Sequence, residues 1–81
     1  MSRLPPKAVR GAYYQRQVMA ALHCIALYQR AFDESPTLTE VACMMGVPAA
    51  QAGRRLAEAR DAGFITWRPN VPRSFVFVKV G

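Results

Sequence analysis

The stretch from Thr37 to Ile65 constrains the fold more than any other part of the chain, because two short helical patterns are joined there by a single tight turn. Thr37-Leu38-Thr39-Glu40 has the spacing of a capping box, in which the Thr hydroxyl accepts from the Glu backbone N–H and the carboxylate reaches back. The spacing predicts a short helix from residue 38 through Val41, Ala42 and Met45, stopped by Gly46 in the left-handed conformation that glycine tolerates. Val47 follows as an apolar pin, and Pro48 suits the first turn of another helix. That helix is predicted over 48–62, with Ala52, Leu56 and Ala59 on one face and Gly63 at its end. A helix-turn-helix needs a small residue where its helices touch, a glycine at the turn and apolar residues that set the second helix at a steep angle. Ala42, Gly46 and Val47 meet those needs, and Ala52 and Leu56 fall where the second helix would bury its inner face.

The flanking segments complete the pattern. Between Ala12 and Phe32 there is no Pro or Gly, and Tyr14, Val18, Leu22, Ile25 and Phe32 recur on one helical face, with Ala21 and Tyr28 at its edge. Asp33, Glu34, Ser35 and Pro36 end that helix. Beyond Gly63 the period becomes that of strands: one over Phe64–Arg68, a turn at Pro69-Asn70-Val71-Pro72, and one over Arg73–Val80. Residues 1–11, with Arg3, Pro5, Pro6, Lys7, Arg10 and Gly11, are expected to form a flexible basic arm. It is either a frayed terminus or an arm lying along a DNA backbone. Residues 12–81 are then one α+β domain, mainly α: three helices and a C-terminal two-stranded hairpin.

Charge narrows the function. Eleven Lys and Arg against five acids give +6 in 81 residues, and most of the bases are Arg, whose planar fork suits phosphate oxygens and guanine edges. Such a small basic domain points to a polyanion, most often nucleic acid. Cys24 and Cys43 are too few and too far apart for a disulfide framework or a zinc site, and each reads as a buried, reduced thiol in an apolar helical setting. His23 has no second His or acid at ligand spacing. No metal or cofactor is expected. No signal peptide is evident, and no stretch approaches the roughly 20 apolar residues of a membrane span, so the expectation is a cytoplasmic, nucleoid-associated protein. An enzyme is not expected, because no His–carboxylate pair, nucleophile setting or phosphate-cradling Gly loop is present.

The run TLTEVACMMGVPAAQAGRRLAEARDAGFI, residues 37–65, resembles the winged helix-turn-helix of bacterial regulators of the IclR, MarR and LexA groups. It shares their helix beginning with Thr or Ser, their Ala and then Gly four residues on, and their Leu56…Gly63-Phe64-Ile65 ending. The resemblance extends loosely through the hairpin to Val80. It departs at Pro48, where those families often have a Ser cap, and at Ala52 and Ala59, where larger aliphatics are common. It implies a small bacterial or phage transcriptional regulator that binds double-stranded DNA sequence-specifically, the helix over 48–62 being its recognition helix. Under that reading Arg54 is the first candidate for a base contact and Gln51, one turn earlier, the second. Arg55 at the edge of the face, and Arg68 and Arg73 beside the hairpin tip, are candidates for phosphate. Gly53 either lets the backbone approach DNA or is a tolerated weakness, and Arg60 is expected to be exposed in a salt bridge.

Two further expectations concern partners. Tyr13, Ala20, Cys24, Leu27 and Ala31 form a second stripe on the first helix, which predicts a homodimer. The alternative to DNA binding is a winged helix used for protein contact, or an accessory factor in recombination or replication from a mobile element. Phe75-Val76-Phe77-Val78, apolar on both faces, supports the protein-contact alternative. If DNA is the ligand, Arg54, Arg55, Arg68 and Arg73 are expected on one surface.

Overall fold

A computed structural model describes the backbone of residues 6–78 and the side chains of residues 15–78. The order is α1 (Pro6–Phe32), α2 (Leu38–Met45), α3 (Ala49–Asp61), β1 (Ile65–Thr66) and β2 (Val76–Phe77). The molecule is mainly helical with one small antiparallel sheet, in which Ile65 lies opposite Phe77 and Thr66 opposite Val76.

Both short helices stop by the same device. Gly46 at φ 73° lets its N–H reach the Cys43 carbonyl at 3.1 Å, while the Val47 N–H reaches Ala42 at 3.1 Å. Gly63 at φ 87° repeats this, its N–H on Arg60 and that of Phe64 on Ala59, each at 3.0 Å. These are Schellman turns, and they satisfy carbonyls that a helix end otherwise leaves open. At the start of α2 the capping box forms as its spacing implies, Glu40 N–H donating to Thr37 Oγ1 at 3.1 Å and Thr37 N–H to Glu40 Oε1 at 2.8 Å. Pro48 caps α3 without a side-chain bond, and its carbonyl accepts from Gln51 and Ala52.

The core lies where the three helices and the sheet meet. Val18, Ala21, Leu22 and Ile25 of α1, Val41 of α2, Leu56 and Ala59 of α3, Ile65 and Phe75 are buried together. Ala42 and Ala52 are buried too, so α2 and α3 meet through methyl-sized side chains and approach closely. Half-buried Met45 and Trp67 pack against this cluster, Trp67 meeting Phe75 edge-on at 5.3 Å.

Three expectations need correction. The helix begins at Pro6 and not at Ala12, so much of the expected arm is helical. Proline fits the first turn, where its missing N–H goes unused, and the following Lys, Ala, Val and Arg are compatible with continued helix. Residues 1–5 of that arm lie outside the described residues, as does the side chain of Tyr14. Phe32 is 63% exposed and lies off the buried face, its ring 4.6 Å from that of Tyr28. Among the described residues the hairpin keeps only two residues of each expected strand. Pro69 and Pro72 can donate no ladder bond, and Asn70 at φ 63° and Arg73 at φ 58° turn the chain out of extended conformation. Residues 79–81, the end of the expected second strand, lie outside the described residues.

Candidate nucleic-acid interface

α3 buries Ala52, Leu56 and Ala59 and turns its opposite face to solvent. Arg54 stands on that open face, and among the described residues no ion pair or hydrogen bond engages its guanidinium. Its neighbours there are short or acidic. Ala50 is exposed, Ala57 half-buried, and the exposed Glu58 and Asp61 face Arg55 and Arg60 at 3.4 and 3.7 Å. Arg60 meets its expectation of an exposed ion-paired side chain and also lies over the Trp67 ring, 4.7 Å from its centre.

Gln51 is on the inner side of the same turn, where its Nε2 donates to Gln17 Oε1 of α1 at 2.9 Å. That bond ties α3 to α1 and occupies the amide proposed for a base edge. Arg55 is not at the edge of the outer face as expected. It is 5% exposed, because α3 is flanked by α1 as well as α2 and the buried sector is wider than one apolar stripe. Its guanidinium lies 3.4 Å from the Glu58 carboxylate and is buried away from the outer face. Gly53 is likewise off the outer face. A Cβ placed there would meet Leu38 Cδ2 of α2 at 3.7 Å, ordinary contact, so the position belongs to the α2–α3 seam.

The loop over residues 67–75 carries the other two candidates, and they behave differently. Arg68 is exposed, with no partner for its guanidinium among the described residues, and its backbone is held by Ser74, whose hydroxyl accepts from the Arg68 N–H and donates to the Val71 carbonyl. Arg73 is committed. Its two terminal nitrogens grip both oxygens of Glu40 at 2.9 and 3.0 Å, and Nη1 also reaches Tyr28 Oη and the Ser35 carbonyl. Glu34 is 3.5 Å away. A bidentate Arg–carboxylate pair is directional as well as charged, so this cluster pins the loop to the start of α2. Arg73, expected as a phosphate contact, thus has its fork filled by the protein's own carboxylate in this structure. The Thr37 backbone N–H, and then the Arg73 guanidinium, hold the Glu40 carboxyl below the usual glutamate range. Glu40 in turn raises Arg73 above the ordinary arginine value.

The loop, the start of α2 and Gly53 of α3 enclose an open groove of about 420 Å³, floored by Leu56, Trp67 and Phe75, with Arg68 and Arg73 in its wall. Of the four arginines expected on one surface, the structure thus brings Arg68 and Arg73 to one groove, leaves Arg54 on the adjacent face and buries Arg55. The stripe on α1 is exposed at Ala20, Leu27 and Ala31. Cys24 is half-buried against the core, and that burial pushes its thiol up; Cys43, expected to be buried as well, is exposed. The Tyr13 side chain lies outside the described residues.

Sequence reasoning missed Tyr28, Ser35 and the second role of Glu40. Ser35 Oγ accepts from the Phe75 N–H at 3.1 Å, and Gln29 Nε2 donates to the Phe75 carbonyl at 3.3 Å, so side chains of α1 and of the α1–α2 connection hold the backbone of the residue just before β2. The capping box revealed the local role of Glu40. Its partner 33 residues away left no local signal. Among the described residues no helix is long and apolar enough to cross a membrane. Comparison with protein-family models, with curated proteins and with solved structures finds no match.

Proposed function

We propose that the chain binds double-stranded DNA as a small transcriptional regulator, with α3 in the major groove and the 67–75 loop along the neighbouring backbone. The observation that carries this reading is the pairing of a buried inner face on α3 with an uncovered outer face. The helix is presented by a tight turn on a body of net charge +6. Arg54 is then the base-reading side chain and Arg68 the phosphate contact. With Gln51 tied to Gln17 and Arg55 buried, one long free donor remains on the outer face, so sequence preference is modest and affinity is mainly electrostatic. Binding and not catalysis is the proposed activity, and association with the nucleoid follows from it.

The protein-contact alternative has its own support. Phe64, Val76 and Val78 are 49%, 56% and 43% exposed around the small sheet, a cluster that binding to DNA would leave wet. Fluorescence anisotropy of the full chain on a random-sequence duplex, across a salt series, decides between the two. DNA binding requires affinity that falls steeply with salt. No salt-dependent binding, at protein concentrations up to the high micromolar range, would move the assignment to protein contact.

A further inference from the structure

The outer face of α1 has the chemistry of an interface, and its charge says what can cover it. Arg16, Met19, Ala20, His23, Leu27 and Arg30 recur at three- and four-residue spacing and so share one side of the helix, opposite buried Val18, Ala21, Leu22 and Ile25. Met19 is 55% and Leu27 45% exposed, and among the described residues no other element packs over them. Apolar side chains interleaved with small ones at this spacing form the seam by which one helix receives another.

A second copy fits this face poorly. From Pro6 to Phe32 the helix contains no acidic residue. Arg16 and Arg30 each lie two helical turns from His23, so a two-fold antiparallel pairing centred on His23 sets Arg16 of one copy against Arg30 of the other. Parallel pairing sets like against like. The first acids come beyond the helix, where the chain has turned at Asp33, φ 58°, and Glu34 is drawn to Arg73 at 3.5 Å. Contacts between these cations would lie well within the ~8 Å Debye length at physiological salt and would not be screened away. We infer that this face docks an acidic amphipathic helix of a different protein, its apolar stripe on Met19, Ala20 and Leu27 and its carboxylates on Arg16 and Arg30. The inference is independent of DNA binding, since it uses none of the residues assigned to DNA.

The test uses the full chain and two synthetic helical peptides with the same Leu/Ala seam, one flanked by Glu and one by Lys. Titrated by fluorescence anisotropy, the Glu-flanked peptide binds and the Lys-flanked one does not. Leu27→Asp weakens binding by about tenfold or more, the loss of a buried Leu with a like charge added. The double exchange Arg16→Glu with Arg30→Glu reverses the preference between the peptides. All three positions are exposed, and circular dichroism checks that the variants fold. Binding of neither peptide, or a preference unchanged by the double exchange, overturns the inference. So does a wild-type dimer in sedimentation that Leu27→Asp dissociates, which gives the face to a second copy. Displacement of the Glu-flanked peptide by an equimolar DNA duplex overturns it too, in favour of nucleic acid.

Discussion

Arg73 and Gly53 show how far a residue's surroundings decide its role. Arg73 sits at φ 58°, a conformation that costs a non-glycine residue of order 1–3 kcal/mol and persists only where neighbours over-determine it. Here those neighbours are Glu40, Tyr28 and Ser35. Lysine offers a single point charge in place of two parallel donors, so Arg73→Lys is expected to lower the thermal midpoint nearly as much as Arg73→Ala does. Because the Glu40 carboxyl is held below its ordinary value, its contribution is complete above about pH 4.3 and is lost as pH falls through the lower folded value. Acid unfolding followed by circular dichroism should therefore begin at higher pH in Glu40→Gln, which lacks that contribution throughout. Equal acid midpoints would show the pair to be energetically idle. Gly53 is the converse case. It is helical, half-buried and has room for a methyl group beside Leu38, so Gly53→Ala is expected to raise unfolding stability by up to ~1 kcal/mol. A denaturant midpoint unchanged or lowered would mean that the α2–α3 seam is tighter than ordinary contact.

At the scale of elements, α2 and α3 are defined by their ends more than by their interiors. α2 has eight residues, a length at which an isolated helix is unstable in water. The capping box starts it, the Schellman turn at Gly46 stops it, and packing on α1 and α3 supplies the rest. Thr37→Ala removes the acceptor for the Glu40 N–H and is expected to cost ~1 kcal/mol. Gly46→Ala meets no atom within 4 Å, so its cost, of order 1 kcal/mol or more, is that of a side chain at positive φ alone. Both are read as shifts in urea midpoint. If Gly46→Ala proved neutral, the turn would have to be free to change shape. The 67–75 loop is held by fewer contacts of more specialised kind: Ser74 on Arg68 and Val71, Arg73 on Glu40, and Trp67 between Arg60 and Phe75.

For the whole molecule, the proposed DNA binding implies a division of labour, because Arg54 and Arg68 are free while Arg55 and Arg73 are engaged. Arg68→Ala should weaken all duplexes alike and make the salt dependence shallower by ~0.9 in log–log slope. Arg54→Ala should cost ~1–3 kcal/mol on a preferred site and flatten discrimination there. Arg73→Ala should alter binding only in proportion to lost stability of the loop, with the salt slope unchanged. A slope that falls for Arg73→Ala as it does for Arg68→Ala would mean that DNA draws the guanidinium away from Glu40.

Much of the local order was legible from residue order alone, although the start of α1 at Pro6 was not. The cap at Thr37, the stops at Gly46 and Gly63, the three-helix succession and the α1 face of Val18, Leu22 and Ile25 all follow from spacing over a few residues, where hydrogen-bond reach and helical period are fixed by covalent geometry. The candidate site was legible only as a set of arginines. Which of them remain free depends on contacts that spacing does not encode: Arg55 is buried and Arg73 finds Glu40 across 33 residues, while the neighbouring Gln51 amide is taken by Gln17. The shortening of the hairpin has a tertiary contribution beside the local one of its prolines and turns. Phe75 is buried against the helices and its backbone is bonded by Ser35 and Gln29, so side chains satisfy groups that a longer ladder would otherwise have paired. Residue order specified the elements and the charge; tertiary packing decided which charges are left for a partner, because burial and ion pairing are settled only when distant segments meet.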